Sequence, residues 1–408
     1  DEAGLLAHLR ALAAKNRPEG PNFLGGGARR HFTPSVTAHL AMQSEFVTAY
    51  TPYQPEVAQG ILQATFEYQT IMSELTGLPV SNASMYDGAS AVAEGVLLAM
   101  RQTGRDRVLV SRGVHPETRA VIATYLTALD TVVEVVDLDP HTTVLPDMDD
   151  GVACLVAQQP NYLGYVEDMS ALTEGAHAAG ALMVAAVDPL SLAVLAPPGE
   201  YGADIAAGDG QTLGNPLDFG GPAFGFMVVR DELIRQLPGR LVGQTVDVDG
   251  RRAFVLTLQA REQHIRRSKA KSNICSNHQL TAVMAAINVA ALGPQGLRDL
   301  ALGSLANAHA LGAALSNAGF EPEIERRYFN EFVLKVRQKP AALRSALAAH
   351  GVHAGVEVPP EYGFGNAIVL SATESTTRSH IGALVAALTA SGEGLGAPAG
   401  YGEVASHG

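Results

Sequence analysis

Continuous apolar segments that alternate with helical segments constrain the fold of this chain more than any other feature. The segments that read as strands cover residues 80–84, 107–111, 131–136, 152–158, 181–187, 203–207 and 225–230. Segments of helical period lie between several of them, such as residues 57–75 and 169–179. Strands that are apolar on both faces are typical of parallel sheets covered by helices on both sides. The sequence therefore predicts an α/β fold with a large, mainly parallel sheet.

The pattern changes after Asn277, where a second, smaller unit is predicted. Two helices are separated there by Gly293 and Pro294, which disfavour a continuous helix. The predicted elements are helices 280–292 and 296–318, strand 332–336, helix 340–350, strand 367–371 and helix 378–390. We therefore predict an N-terminal helical segment at 1–48, a large α/β domain at 49–293, a small C-terminal α+β domain at 294–390 and a flexible tail at 391–408.

The overall composition disfavours several classes of function. The chain has 408 residues, of which 47% are hydrophobic and 17% charged, so it can bury a large core. The net charge of -13 argues against general nucleic-acid binding. The sequence contains no run of about 18 apolar residues, so no membrane span is predicted. Cys154 lies in an apolar strand far from Cys275, which favours a buried, inert thiol and a reducing cytoplasm.

A glycine-rich loop after strand 203–207 nearly copies a dinucleotide-binding motif. Gly208, Gly210 and Gly214 have the spacing GxGxxxG instead of GxGxxG. Pro216 and the following Gly-Gly-Pro at 220–222 forbid the helix whose N-terminus would hold the pyrophosphate. A nicotinamide site is therefore disfavoured.

A pyridoxal-phosphate scaffold accounts for more of the polar residues near the strand ends. Such a site needs donors for the phosphate and a carboxylate that keeps the ring nitrogen protonated. Ser90 could supply donors together with backbone N–H groups, although by itself the motif favours an ordinary helix cap. Asp188, directly after strand 181–187, could supply the carboxylate, although it could also start the turn before Pro189.

The lysine that would bind this cofactor is absent. In this class of enzymes it follows the next strand, where this chain has Gln211, Thr212 and Leu213. Amide and hydroxyl groups cannot form an imine, so the chain should not hold the cofactor covalently. His115 stands where related enzymes often stack a ring on the cofactor. Without the lysine we interpret it as a vestige or a local structural histidine.

A basic segment at 258–275 stands out in an acidic chain. Its cations include Arg261, His264, Arg266, Arg267 and Lys269. The charge pattern alone fits an ion-paired surface face as well as it fits an interface or channel for an anionic partner. Arginine suits the second hypothesis because its planar guanidinium binds a carboxylate or phosphate through two N–H groups.

A polar segment at 50–56 precedes the helix predicted at 57–75. A proline and a glutamate in this segment suit the first turn of a helix. Tyr50, Thr51, Tyr53 and Gln54 offer more polar groups than a helix start requires. We interpret these groups as side chains that could reach a neighbouring subunit's pocket, which is compatible with the helix start.

These segments resemble the glycine decarboxylase family, the P-protein of the glycine cleavage system. The resemblance covers nearly the whole chain, and its most specific blocks are residues 49–60, 82–84, 87–88, 115–116, 188–190, 197–204, 238–240 and 259–275. The match is to the N-terminal half of the family, which keeps the fold and lacks the cofactor lysine. The chain thus looks like subunit 1 of the two-chain form, with the fold of fold-type I pyridoxal-phosphate-dependent transferases. Ser268 departs from the family, which usually has an acidic residue before the lysine of the basic segment. An ion pair at that point is therefore in doubt.

The resemblance implies an activity and a set of partners. The family removes the carboxyl group of glycine as carbon dioxide and passes the aminomethyl group to the lipoyl arm of H-protein. It implies that a lysine-bearing subunit 2 holds pyridoxal phosphate and that two copies of each subunit form a heterotetramer, with no metal. Residues expected to complete the site at the interface are Tyr50, Thr51, Tyr53, Gln54, Arg261, His264 and Arg266. Residues expected to outline a vestigial cofactor pocket are Ser90, His115 and Asp188.

Three other functions compete with this hypothesis. A self-sufficient homodimeric pyridoxal enzyme would require Lys269 or Lys271 to reach the pocket. A structural or regulatory binding subunit would leave its partner fully active without this chain. A nicotinamide-linked hydride transfer would depend on the defective glycine loop.

Overall fold

The computed structural model describes residues 1–16, 20–48, 51–274 and 276–393. Its α-helices are α1 (Glu2–Ala13), α2 (Ser35–Ala41), α3 (Ser44–Val47), α4 (Gln59–Thr76), α5 (Gly88–Thr103), α6 (Pro116–Leu126), α7 (Met169–Ala178), α8 (Gln263–Arg266), α9 (Gln279–Asn317), α10 (Pro340–Ala349) and α11 (Arg378–Ala390). Its strands are β1 (Asn22–Phe23), β2 (Val80–Ser81), β3 (Arg107–Ser111), β4 (Val132–Val136), β5 (Val152–Gln159), β6 (Leu182–Val187), β7 (Ile205–Asp209), β8 (Gly225–Val229), β9 (Val242–Val246), β10 (Arg252–Leu256), β11 (Glu321–Pro322), β12 (Glu331–Lys335), β13 (His353–Ala354), β14 (Val356–Glu357) and β15 (Ala367–Ser371).

A seven-stranded sheet in the order β2-β8-β7-β6-β5-β3-β4 forms the centre of the fold. The strands from β7 to β4 are parallel, and β8 pairs antiparallel with both of its neighbours. Alternate residues of β6 enter different cores, because successive side chains of a strand point to opposite faces. Met183 and Ala185 join the core shared with α4, α7 and α9, whereas Val184 and Ala186 join the core shared with α5. The predicted mainly parallel sheet, buried on both faces, is confirmed.

A four-stranded antiparallel sheet in the order β11-β12-β15-β14 lies in the C-terminal part. Phe332 and Leu370 from this sheet pack with Leu343 of α10 and Leu384 of α11. The N-terminal strand β1 pairs with β13, and its Phe23 is buried in the same core. The N-terminal segment is therefore anchored on the C-terminal part of the chain. The domain boundaries that we derived from the sequence stay predictions.

Helix α9 changes direction near its middle. Gly293 has φ 65° and ψ 177°, which are not helical values, and Pro294 follows it. The predicted division into two helices is thus confirmed. Within the described part of the chain, α9 is the one helix that is long and apolar enough to cross a membrane. Its Ala282, Ala285 and Leu297 belong to the main core, a position that core helices of globular domains also occupy.

A hairpin of β9 and β10 was not expected from the sequence. β9 mixes polar residues and glycine with apolar ones, and the apolar run of β10 is short, covering only residues 253–256. The hairpin packs on α4 through Phe254, whose ring lies 5.4 Å from that of Phe66. Cys154, by contrast, is buried in β5 as predicted, and burial raises the pKa of its thiol to about 12.

Asp204 connects three elements just before β7, and its replacement should destabilise the fold. Its fully buried carboxylate accepts hydrogen bonds from the Met183 N–H at 2.7 Å and from His177 Nε2 at 2.9 Å, and it pairs with Arg230. Asp204→Ala leaves a buried N–H without an acceptor, so we expect a loss of about 2 kcal/mol of unfolding free energy in urea titrations. Glu232→Ala is the matched control, because this exposed carboxylate lies 3.6 Å from the same arginine. A control loss as large as that of Asp204→Ala would contradict this account.

Candidate functional site

Arg29 lies at the carboxyl ends of the parallel strands, inside the pocket predicted for a cofactor. Its Nη1 lies 2.8 Å from Asp188 Oδ2, and its Nη2 lies 2.6 Å from Glu331 Oε2. The side chain is only 9% exposed. Burial by itself would lower the pKa of Arg29, but the two carboxylates raise it overall, so the guanidinium stays charged. Asp188 is therefore ion-paired within the chain.

The residues in place of the cofactor lysine hold this arginine. Gln211 Nε2 donates to the Arg29 carbonyl oxygen at 2.9 Å, and its Oε1 accepts the Arg29 N–H at 3.1 Å. Thr212 Oγ1 donates to Asp188 Oδ1 at 2.8 Å. Both oxygens of Asp188 are thus engaged, one by Thr212 and one by Arg29. The position that would carry a lysine serves instead to fix the N-terminal segment.

Three consecutive glycines allow the chain to reach this depth. A Cβ on Gly25 would collide with the Glu331 carboxylate, and the Gly26 N–H donates to Glu331 Oε1 at 2.9 Å. Gly26 and Gly27 have φ of 78° and 114°, values that side chains other than glycine rarely adopt. The glycine run is therefore needed both for backbone conformation and for close approach.

The start of α5, predicted as a phosphate cradle, is occupied by the protein's own groups. Asp87 caps the helix by accepting the Ser90 N–H at 2.8 Å, and Ser90 Oγ donates back to the Asp87 carbonyl oxygen. The Gly88 N–H donates to Asp209 Oδ2 at 3.3 Å. Burial raises the pKa of Asp209, and the carboxylates of Asp87 and Asp188 raise it further. The Gly88 and Ser90 N–H groups are thus engaged by Asp209 and Asp87 in this chain.

His115 makes local contacts that agree with a structural role. Its Nδ1 accepts the Glu117 N–H at 3.2 Å, which places the ring proton on Nε2, 2.9 Å from the Gly26 carbonyl oxygen. Its ring packs edge-on against the Tyr162 ring, with 4.9 Å between the two ring centres. His115 thus supports the inserted glycine segment. Ser90, His115 and Asp188 are each engaged by groups of this chain, and their assignment to a vestigial cofactor pocket stays a prediction.

A second cluster joins two sequence segments that we had linked only by resemblance. Arg240, which is 3% exposed, donates to Thr51 Oγ1 and to the Tyr53 hydroxyl, both at 3.2 Å. Its guanidinium also lies 5.0 Å from the centre of the Tyr53 ring. On the other side, its Nε lies 3.9 Å from Glu262 Oε2. Arg240 therefore connects the segment around Tyr53 to the basic segment.

Arg261 binds backbone carbonyl groups of its own chain. It donates to the carbonyl oxygens of Leu237, Gly239 and Leu258, the last two at 3.1 Å. Burial lowers the pKa of Arg261, and Glu262 opposes this effect. Arg261 thus fixes the turn that carries Arg240, a role that its charge alone did not reveal.

The remaining cations of the segment form an exposed surface, which we call the basic loop (residues 263–271). His264 lies 3.5 Å from Glu262 Oε2, and Arg266 Nε donates to the Ala260 carbonyl oxygen at 3.0 Å. Arg267 has φ 56° and ψ −127°, a backbone conformation that favours glycine. Gln54, which follows Tyr53 in the sequence, is exposed. Tyr50 and Cys275 lie outside the described residues.

Sequence reasoning missed Arg29, Glu331, Arg240 and Glu262. Each of them acts on a group far away in the sequence, so periodicity and spacing carry no signal for it. Two local signals were present. Three glycines directly precede Ala28 and Arg29, and Arg240 belongs to a Pro-Gly-Arg block that the resemblance had already marked.

Comparison with solved structures defines the class of fold. The chain superposes on mouse CSAD in apo form with a TM-score of 0.72 and 14% identity, covering 97% of this chain and 89% of that one. It superposes on a cysteine desulfurase from Thermococcus onnurineus with a TM-score of 0.65 and 14% identity, covering 88% and 91%. At these identities the likeness concerns the fold alone, which is that of fold-type I pyridoxal-phosphate enzymes. The predicted fold class is confirmed.

The family is defined by much closer matches. The family described as glycine cleavage system P-protein matches residues 1–388. A protein of Moorella thermoacetica named "Probable glycine dehydrogenase (decarboxylating) subunit 1" is 50% identical, with 95% of this chain and 88% of that protein covered. A crystal structure of glycine decarboxylase (P-protein) of the glycine cleavage system, in inhibitor-bound form, superposes with a TM-score of 0.93 and 56% identity, covering 96% and 89%. The chain belongs to the glycine cleavage system P-protein family, as its sequence blocks had indicated.

A lysine introduced at this position should not by itself bring about cofactor binding, because Arg29 would still be ion-paired with Asp188. We expect Thr212→Lys to remain colourless with added pyridoxal phosphate, and Thr212→Lys with Arg29→Ala to develop the visible absorbance of a lysine-bound cofactor. Arg29→Ala alone is the control for non-covalent binding. If Thr212→Lys alone develops visible absorbance as strong as that of the double variant, Arg29 does not close the pocket.

Removing Arg240 should release the segment around Tyr53 without unfolding the chain. Arg240→Ala eliminates both hydrogen bonds and the ring contact, so amide hydrogen exchange at residues 51–57 should become about tenfold faster or more. Arg252→Ala is the matched control, since Arg252 stacks on Phe254 at 5.6 Å on the nearby hairpin. Unchanged exchange in Arg240→Ala would mean that other contacts hold this segment.

Proposed function

We propose that this chain is subunit 1 of a two-chain glycine decarboxylase. A lysine-bearing subunit 2 would hold pyridoxal phosphate, and the complex would release the glycine carboxyl as carbon dioxide and pass the aminomethyl group to the lipoyl arm of H-protein. The observation that carries this proposal is the Arg29 cluster, because it fills the chain's own cofactor pocket with an arginine ion-paired to Asp188 and Glu331. We expect a chain of this family with such a pocket to act through a partner.

Exposed apolar side chains near the N-terminus support a large interface with that partner. None of the residues of α1 is buried, although the helix carries four leucines. The exposed large apolar residues of this part are Leu5, Leu6, Leu9, Leu12, Leu24, Phe32, Val36, Leu40, Met42, Val47, Tyr53 and Val57. Such a concentration of exposed apolar surface is typical of protein–protein interfaces. We propose that this segment binds subunit 2, and that two such pairs form a heterotetramer in the cytoplasm.

The Arg240 cluster supports a direct contribution to the partner's active site. The Tyr53 side chain is 59% exposed while Arg240 holds its hydroxyl, so the ring is fixed and still accessible. His264 of the basic loop lies 3.5 Å from Glu262, which contacts Arg240, and the exposed Arg266 follows in the same loop. In this proposal Tyr50, Thr51, Tyr53 and Gln54 line the shared site. His264 and Arg266 would attract the anionic carboxylate of glycine, and Arg261 would position the turn that carries Arg240.

A structural or regulatory subunit is the alternative, and one assay separates the two. Exchange of labelled bicarbonate into glycine is measured with H-protein for this chain alone, for subunit 2 alone and for the mixture. We expect exchange only in the mixture. Activity of this chain alone would refute the closed pocket, and full activity of subunit 2 alone would reduce this chain to a scaffold or regulator.

Variants of the exposed residues test the contribution to the site. Arg266→Gln removes a cation that faces the proposed entrance, so kcat/KM for glycine should fall about tenfold while the complex still assembles. Tyr53→Phe keeps the ring and loses the hydroxyl, and a similar fall is expected. Arg298→Gln, an exposed arginine on α9, is the control. If the Arg266 and Tyr53 variants change neither assembly nor kinetics, these residues do not belong to the site.

A further inference from the structure

Glu262 is a buried carboxylate between two parts of the proposed shared site. Its side chain is 5% exposed, and its Oε2 lies 3.9 Å from Arg240 Nε and 3.5 Å from His264 Nδ1. Arg240 is buried, whereas the His264 side chain is 48% exposed. Among the described residues, no other carboxylate forms an ion pair with either of these side chains. One buried negative charge therefore lies between a buried arginine and an exposed histidine.

The backbone on both sides of Glu262 is held by hydrogen bonds of the chain. The Glu262 N–H donates to the Gln259 carbonyl oxygen at 2.9 Å, and the Glu262 carbonyl oxygen accepts the Arg266 N–H at 2.9 Å. The preceding residue, Arg261, donates to the Gly239 carbonyl oxygen at 3.1 Å. Glu262 thus stands directly before α8, where the basic loop begins. The direction of its side chain is therefore set by a fixed backbone.

On the buried side, Glu262 faces the arginine that fixes Tyr53. The two terminal nitrogens of Arg240 donate to Thr51 Oγ1 and to the Tyr53 hydroxyl oxygen. Its Nε is buried and makes no hydrogen bond, so the Glu262 carboxylate is the group that balances its charge. A buried cation is destabilised when it loses its counter-charge. Without this carboxylate, we expect Arg240 to hold Thr51 and Tyr53 less firmly.

On the exposed side, Glu262 determines where the imidazole of His264 lies. Within the described part of the chain, His264 makes no other ion pair or side-chain hydrogen bond. An exposed side chain with a single contact gains rotamer freedom when that contact is lost, and a fixed orientation must then be paid for on binding. The carboxylate that balances Arg240 therefore also limits the orientation of His264.

We propose that Glu262 is a positioning residue that fixes the side chains of Tyr53 and His264 relative to each other. This role rests on the proposed function, in which both side chains contribute to a site that is completed by subunit 2. Glu262 acts on Tyr53 through Arg240 and on His264 directly, and it does not itself contact glycine or the cofactor. A misplacement of about 1 Å in such a site can lower the rate about a hundredfold.

Kinetics of the complex reconstituted with subunit 2 test this role, with exchange of labelled bicarbonate into glycine as the assay. Glu262→Gln keeps the size of the side chain and removes its charge, so kcat/KM for glycine should fall about tenfold. Gel filtration should show that the complex still assembles. Glu262→Asp keeps the charge and should recover part of the loss. Glu174→Gln, at an exposed position on α7, is the matched control and should behave like the wild type.

A mutant cycle with Tyr53→Phe and His264→Gln gives the decisive comparison. Once both side chains are changed, a residue that acts through them has little left to position. Adding Glu262→Gln to this double variant should therefore lower kcat/KM by no more than about twofold. A merely structural carboxylate would cost the same factor in both backgrounds, and that result, or wild-type kinetics of Glu262→Gln, would overturn the proposal. An inactive mixture of the wild-type chains would instead refute the proposed function, and this role with it.

Discussion

The two ion pairs of Arg29 are the interaction on which the rest of this structure depends. One guanidinium joins three parts of the chain: the N-terminal segment, Asp188 at the end of a central parallel strand, and Glu331 at the start of the C-terminal sheet. All three groups are nearly buried, so the loss of Arg29 leaves two carboxylates without their cation in a poorly solvated place. Such a loss typically costs about 3–5 kcal/mol. The ion pairs that fill the pocket therefore also hold the N-terminal segment against the core.

This connection explains how the strand ends of this fold can be used to anchor the N-terminal segment. The large sheet still brings Asp188, His115 and the start of α5 to one edge, as parallel strands with helical connections do. The space there is used for anchoring: Gln211 and Thr212 hold Arg29 and Asp188, and His115 holds the glycine run. An anchored segment can then present apolar side chains to another subunit. We propose that this anchoring serves assembly with subunit 2.

The sequence was sufficient for the sheet, for the break in α9 and for the missing lysine, because each leaves a local signal: an apolar run, a Gly-Pro pair, or a residue type that cannot form an imine. It was insufficient wherever a side chain acts at long range. Arg29 is 159 residues from Asp188 and 302 from Glu331, and Arg240 is 189 residues from Thr51. The backbone contacts of Arg261 could not be predicted either, since the sequence around a cation does not tell whether it binds backbone carbonyls or solvent.

The central proposal is that this chain does not hold the cofactor, because its own Arg29 is paired with Asp188 and Glu331. The cofactor content of the complex reconstituted from this chain and its lysine-bearing partner tests that claim most directly. Pyridoxal phosphate is released from the purified complex, quantified and divided by the amount of each subunit. One cofactor for each pair of unlike subunits is the predicted result. Two cofactors for each pair would contradict the account, because the second could only lie in the pocket that Arg29 fills.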